Sequence, residues 1–356
     1  MSDAVVLVSS DTSYLERKLA SLNYYIYPID EFNHKNIHKL GDLNFTNNFI
    51  NMVLSRHNHP CLIYGSGLED KKNIYKLLSN NFIIKGNDLN MLSKFSDMSA
   101  LKLFFNKYNF KDPDSFEQED SKKKYIWKPF NSSGGYGISY NVRENISHYK
   151  QRYIPGNTLS ISFICNDKEF KFLGFNKLFL LSDCIEHPFI HAGAMMTSLS
   201  KDSKKIITSF SMLAKDLNLK GYNNIDFKLI KNEIYILDIN PRITSTFKIY
   251  NDLYQNDLLK IQINQDGNSL NNMKMINNNI YGYIHLFAKE DFNFKKCIHD
   301  VAFTNLPKDG ECIKKGDPIF SVYMNASSEN DLISKFEEKI LNLRNYYYFY
   351  DILFKP

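Results

Sequence analysis

Two aspartates twelve positions apart, Asp226 and Asp238, flank a polar interruption between apolar runs in GYNNIDFKLIKNEIYILDINPR. The runs predict two antiparallel strands. If Lys231, Asn232 and Glu233 form a three-residue loop, with Asn232 in the left-handed conformation it tolerates, Ile230 pairs with Ile234. Asp226 is then directly opposite Asp238, and Asn240 lies on the same face two residues further on. Opposed positions bring Cβ atoms to ~5 Å, where like charges destabilise. A cation between them would remove the conflict. Two carboxylates and an amide oxygen suit Mg²⁺, which takes one or two carboxylates and completes its shell with substrate phosphates. Arg242, close behind in NPR, adds a fixed cation for a phosphoryl oxygen or a developing oxyanion. On a surface hairpin the same aspartates would simply be solvated, so the metal reading needs a phosphate site elsewhere in the chain.

YIWKPFNSSGGYGISY offers one. It is not a Walker A loop, because no Gly-Lys-Ser/Thr follows, and not GxGxxG, because Tyr136 occupies a required glycine position. It places Lys128 on a strand, then Ser132, Ser133, Gly134 and Gly135, whose amides can approach phosphate oxygens, then ISY as a returning strand. A plain Gly/Ser turn between strands is the competing reading. YGSGLED follows the strand CLIY, so Gly65, Ser66 and Gly67 could bring backbone close to a ligand ahead of a helix amino terminus, or form an ordinary strand-to-helix turn. Lys177, His187 and His191 could place a substrate. The histidines, with His285, are otherwise structural.

The elements that must position these residues begin with strands alternating with helices over the first ninety residues. AVVLV, YIYPI, CLIY and FII read as strands, with helices carrying Leu15 and Leu19, Phe49 and Val53, and Ile74 and Leu78 between them. That order predicts a parallel sheet and an α/β fold class. SDMSALKLFFNKYNFKDPDSFEQEDSKKK reads as a helix running into a polar connection, a natural boundary. Strands YIWKPF, ISYNV, SISFIC and KFLGF, a helix with Ile206, Phe210, Leu213 and Leu217, and the aspartate hairpin follow. The division is residues 1–93 as an N-terminal α/β substrate-binding domain, 94–285 as the nucleotide domain and 286–356 as a small α+β extension.

A chain of 356 residues with 43% hydrophobic and 14% aromatic side chains can fill more than one core. The net charge of +5 is spread among interspersed lysines and acids, which argues against a nucleic-acid partner. Five cysteines form no CxxC pair or zinc spacing, as expected of a reduced, cytoplasmic protein. The amino terminus has only a short apolar run and no stretch reaches eighteen apolar residues, so neither a signal peptide nor a membrane span is expected.

Taken together, Lys128 before its glycine loop, QRYIPG, Asp226, Asp238 and INPR resemble the ATP-grasp superfamily in order and spacing. YGSGLED, GYNNIDF, LDINPR and NLPKDGECIKKGDPIFSVY are similar to its predicted carboligase group related to biotin carboxylase. The resemblance implies an N-terminal pre-ATP-grasp domain and ATP held by Lys128, by the loop Ser132 to Gly135, and by Gln151 and the backbone of Ile154 at the adenine. It implies two Mg²⁺ on Asp226, Asp238 and Asn240, and Arg242 at the transferring phosphate or acyl intermediate. An Asp-Lys pair common in relatives corresponds to Asp97 and Met98, so Lys102 would have to substitute or the contact is absent. The implied reaction joins a carboxylate to an amine through an acyl phosphate. Adding glutamate to an amine for a one-carbon carrier of methanofuran or tetrahydromethanopterin type is one such reaction. A biotin-carboxylase-like synthesis of carboxyphosphate and a non-catalytic nucleotide-binding regulator are the alternatives. Small-molecule substrates are the expected partners, with a homodimer left open.

Overall fold

The computed structural model describes residues 4–30, 38–39, 43–69, 71–95, 101–113, 124–130, 132–141, 147–184, 186–199, 202–255, 257–264, 270, 273–296 and 302–354. Asp97, Met98 and Cys297 lie outside the described residues.

The amino-terminal strands β1 (Ala4–Ser9), β2 (Tyr25–Asp30), β3 (His38–Lys39), β4 (Cys61–Tyr64) and β5 (Ile83–Ile84) form a parallel sheet in the order β3-β2-β1-β4-β5. Helices α1 (Ser13–Ser21), α2 (Leu43–Leu54) and α3 (Lys72–Asn81) supply the crossovers. Val5 to Val8 are fully buried on both faces, which is why β1 reads as an unbroken apolar run. The chain leaves β1 in one direction and returns to its other side at β4. The crevice between these two strand ends is therefore a topological switch point. Ser10 and Ser66 close it, with Ser10 N donating to Ser66 O (2.7 Å) and their hydroxyls 2.5 Å apart.

After α4 (Asn90–Phe95) and α5 (Lys102–Lys107) come β6 (Phe110–Lys111), β7 (Tyr125–Pro129), β8 (His148–Arg152), β9 (Leu159–Cys165), β10 (Phe170–Leu181) and β11 (His191–Thr197). Then follow α6 (Ser203–Asp216), β12 (Gly221–Ile230), β13 (Glu233–Asn240), α7 (Phe247–Leu253), α8 (Asp257–Asn264) and β14 (Ile280–Phe287). The chain ends with β15 (Phe292–Asn293), β16 (Phe303–Thr304), β17 (Cys312–Ile313), β18 (Pro318–Ala326), α9 (Glu329–Leu343) and β19 (Ile352–Leu353). One large sheet runs β16-β18-β14-β11-β10-β9-β12-β13-β6, with β19 added beside β10. The expected α/β class is observed as a parallel sheet joined to this mixed one.

Alternation along the central strands decides which side chains face which way. Ile161, Phe163, Ile225, Phe227 and Ile236 point into a core closed by Phe105, Phe210 and Leu213 of α5 and α6. On the other side Tyr222 packs with Phe247, Tyr250 and Leu258 of α7 and α8, and this core continues into Leu15 and Leu19 of α1. Three expectations change. ISYNV is not a strand in its described part but a single bridge of Ser139 to Trp127, because β7 takes β8 as its regular partner. β6, hidden in a polar connection, adds a parallel pairing to β13. Among the described residues of the proposed helix-to-linker segment, only α5 is regular helix.

Candidate active site

The aspartate hairpin reaches its geometry by a different route from the one its sequence predicts. Its turn has two residues, Lys231 and Asn232, both left-handed at φ 48° and 70°, and Ile230 pairs with Glu233. A twist-matched turn of this kind is the usual two-residue hairpin connection. Alone it would shift Asp238 out of line with Asp226. Leu237 restores the pairing as an extra residue: Phe227 pairs with Ile236, and Asp226 with Asp238. Asn224, Asp226 and Lys228 from β12, and Leu237, Asp238 and Asn240 from β13, all line one cavity of about 700 Å³.

The bulge also leaves the Leu237 carbonyl free of the ladder, and Lys128 Nζ donates to it at 2.9 Å. Lys128 is buried in the site. Burial by itself would lower its ammonium, but Tyr149 and the two aspartates outweigh that and hold it above the ordinary lysine range. Burial, followed by the facing Asp238, pushes the Asp226 carboxyl up to about 7 against the pull of Lys128 and Arg242. The pair thus carries a conflict that Lys128 and Arg242 offset only in part, and that a cation between the carboxylates would relieve. Among the described residues no three His, Cys, Asp or Glu side chains gather as a metal cluster. The protein's share of a metal shell is two carboxylates and the Asn240 amide, a donor set that fits Mg²⁺ completed by phosphates.

Ser132 to Gly135 line the same cavity. Gly135 has φ 80°, and a Cβ there would lie 1.9 Å from the Phe189 carbonyl oxygen, so only glycine lets the loop press on this wall. His191 N holds the loop by donating to Gly134 O at 2.9 Å. Gln151 is buried on β8 opposite Ile126, and both line the cavity with Ile154. Lys228, which alternation puts on the face of Asp226, donates to Gly156 O, and burial lowers it to about 8.

Arg242 is fixed from three sides. Its Nη2 lies 2.6 Å from Glu69 Oε1 and donates to Asn240 Oδ1 at 3.1 Å, while Nη1 donates to Ile243 O at 3.3 Å. Glu69 Oε2 accepts from Gly67 N at 2.7 Å. The loop Gly65 to Gly67 therefore aims Glu69: a Cβ on Gly65 would meet Ser9 Oγ at 2.5 Å, and Gly67 takes φ 103° to turn back. Of the three, Ser66 reaches the cavity wall.

The cavity continues from Arg242 to Lys248, His191, His285, Tyr283 and Tyr323. Burial drives both histidines to the neutral form, with values near 4 and 3. His191 Nε2 is 2.8 Å from the Tyr283 hydroxyl, and His285 Nδ1 is 2.6 Å from Ser321 Oγ. His187 instead packs its ring against Tyr136. Lys177, on β10 opposite Met195, is not among the cavity's lining residues, nor is Lys102, whose Nζ lies 3.4 Å from Asp112 Oδ2. Glu69, Lys228, Tyr149 and Lys248 were not singled out from sequence. Lys228 was accessible by counting in twos from Asp226, whereas Lys248 leaves no local sign.

Comparison with known proteins gives a consistent picture. The model of the ATP-grasp domain matches residues 95–246. An uncharacterized protein of Methanocaldococcus jannaschii is 29% identical over 230 residues, 61% of this chain and 55% of its own length. Tyramine–L-glutamate ligase of the same organism is 30% identical over 152 residues, 41% of this chain and 46% of its own. The chain thus spans about half the length of each of these relatives. Among solved structures, biotin carboxylase of Campylobacter jejuni superposes with a TM-score of 0.70 at 12% identity, covering 95% of this chain and 90% of the other. L-amino acid ligase of Bacillus licheniformis gives 0.71 at 10%, covering 97% and 98%. At such identities the likeness is one of fold. Among the described residues no helix is long and apolar enough to cross a membrane.

Proposed function

We propose that this chain, whose residues 95–246 match the ATP-grasp domain, is an ATP-dependent carboxylate–amine ligase working through an acyl phosphate. The observation that carries the proposal is the single cavity in which Lys128, the facing Asp226 and Asp238, and Arg242 meet the Ser10–Ser66 crevice of the parallel sheet. One end has the charges a triphosphate needs. The other, with Tyr14, Tyr283, Tyr323 and two neutral histidines, has room and surface for organic substrates.

In this reading Lys128 holds phosphate oxygens. The amides of Ser132, Ser133, Gly134 and Gly135 close over the β- and γ-phosphates, and Gln151 and the Ile154 backbone meet the adenine. Asp226, Asp238 and Asn240 would hold Mg²⁺, as one or two ions, which neutralises phosphate charge when bound. A substrate carboxylate oxygen attacks the γ-phosphorus as the bond to ADP breaks. An uncharged amine nitrogen then attacks the acyl carbon, and phosphate leaves as the amide forms. Arg242, kept in place by Glu69, faces the charge that develops on the transferring group. The loop pinned by His191 keeps water from the acyl phosphate. The partial likeness to tyramine–L-glutamate ligase supports glutamate as the carboxylate and an aromatic amine as acceptor.

Phosphate release with ATP and Mg²⁺ tests the reading when carboxylates and amines are supplied separately and together. Full release is expected only with both partners. Release driven by bicarbonate alone would indicate carboxyphosphate synthesis, and nucleotide binding with no release under any condition would overturn the enzyme assignment.

A further inference from the structure

Lys248 is a further cation of the cavity, six residues past Arg242 and set against the Tyr14 and Tyr323 rings. Its Nζ lies 3.2 Å from the centroid of the Tyr323 ring and 5.3 Å from that of Tyr14. Among the described residues, no oxygen accepts a hydrogen bond from it. The nearby carboxylates are engaged elsewhere: Asp252 Oδ1 accepts from Tyr14 OH at 2.9 Å and lies 2.9 Å from Lys18 Nζ, and Asp11 accepts from Ser13 N at 3.0 Å. Burial lowers its ammonium to about 7. His285, the titratable group next to it on β14, is neutral and turned to Ser321.

An ammonium has three donors, and aromatic faces satisfy its charge without accepting its hydrogen bonds in full. Leaving a partly buried cation in that state costs stability that a ligand's anion can return. Ser321, Asn305 and Ser10, which line the same cavity, are neutral polar groups suited to the remaining lone pairs of a carboxylate and too weak to replace its charge. We propose that Lys248 anchors the carboxylate of the acyl substrate that is not activated, so that the enzyme selects a dicarboxylate or an acidic amino acid. This rests on the ligase reading. It adds a residue and a reason for choosing acidic substrates over simple carboxylates.

Hydroxylamine captures an acyl phosphate as the hydroxamate, with release of phosphate, and so removes the need to know the natural amine. Hydroxamate formation is measured for L-glutamate, 2-aminobutyrate and 4-aminobutyrate, the last two each lacking one of glutamate's carboxylates. Wild type is expected to favour glutamate by about tenfold or more in kcat/KM, equivalent to ~1.4 kcal/mol. Lys248→Met should lose that preference through KM for glutamate while KM for ATP stays level, and Lys248→Arg should keep most of it. A Lys248→Met enzyme with undiminished preference overturns the anchor alone, as does a wild type equally active on all three acids. No hydroxamate and no phosphate release with any carboxylate removes the ligase reading and the anchor with it. Should Lys248→Met fail to fold, reductive methylation of wild type decides the point: L-glutamate with a non-hydrolysable ATP analogue should shield Lys248, and unchanged labelling overturns the proposal.

Discussion

Glu69 Oε1 lies 2.6 Å from Arg242 Nη2, although the two residues follow strands of different sheets. The pair is nearly closed to solvent, with side-chain exposures of 15% and 6%. Removing one member of a buried pair leaves the other charge uncompensated, at a cost of ~3–5 kcal/mol. Glu69→Ala should therefore lower thermal stability well beyond a surface substitution. Glu69→Gln, which keeps the shape and an acceptor oxygen, should lose less. Both should reduce kcat tenfold or more with little change in KM for ATP. A Glu69→Gln enzyme with normal kcat would show that Arg242 needs no such support.

The facing aspartates trade stability for chemistry. In the absence of a cation, Asp238→Asn removes like-charge repulsion and gives Asp226 an amide donor, so the apoprotein should gain ~1 kcal/mol. Thermal unfolding without Mg²⁺ reads the gain, and turnover should fall by at least a hundredfold. An apoprotein destabilised by this change would mean the carboxylates do not oppose one another.

Two adjacent glycines should respond differently to a methyl group. A Cβ on Gly134 meets only the Tyr136 ring at 3.7 Å, leaving a backbone cost of ~1 kcal/mol. On Gly135 it would overlap the Phe189 carbonyl at 1.9 Å, which forces the loop off its seat. Gly135→Ala should raise KM for ATP and lower kcat far more than Gly134→Ala does. Steady-state kinetics with varied ATP measures the contrast, and equal effects would show that the loop is not seated on Phe189 during turnover.

Lys248 sets a pH signature of stability. Its ammonium titrates near 7 in the fold, lowered by burial from the ordinary value of 10.5. Between these values the unfolded chain carries the extra proton, so stability rises with pH across the window and the burial penalty is fully felt below about pH 7. Relative to wild type, Lys248→Met should be most favoured near pH 6.5, with the difference in Tm shrinking toward pH 9. A difference that does not vary with pH would place the side chain in water.

The gathering of the proposed site was legible because the chemistry expected of it restricts residue types strongly: Lys128, the glycine loop, Asp226, Asp238, Asn240 and Arg242 all line one cavity. The aspartate pairing was reached through a turn one residue too long and a bulge not foreseen. The sign of the bulge was in the sequence. The apolar phase of β13 runs through Ile234 and Ile236 and then skips to Ile239, a slip that strict alternation cannot absorb. Glu69 was overlooked because its partner is 173 positions away, and local pattern carries nothing about such pairs. The fold class followed from alternating strands and helices, but β6, two residues long, is below what periodicity can resolve.

The hydrogen bonding of β14 to β18 has a consequence for how much of the chain is needed. A polypeptide ending at Phe287 would keep every residue proposed to hold phosphate, yet expose one side of β14 along eight residues as an open sheet edge, a template for aggregation. It would also strip Lys248 of the Tyr323 ring and the crevice of Ser321 and Asn305. Such a truncation should bind nucleotide poorly for want of solubility rather than of contacts, and would have no floor on which to tell one carboxylic acid from another.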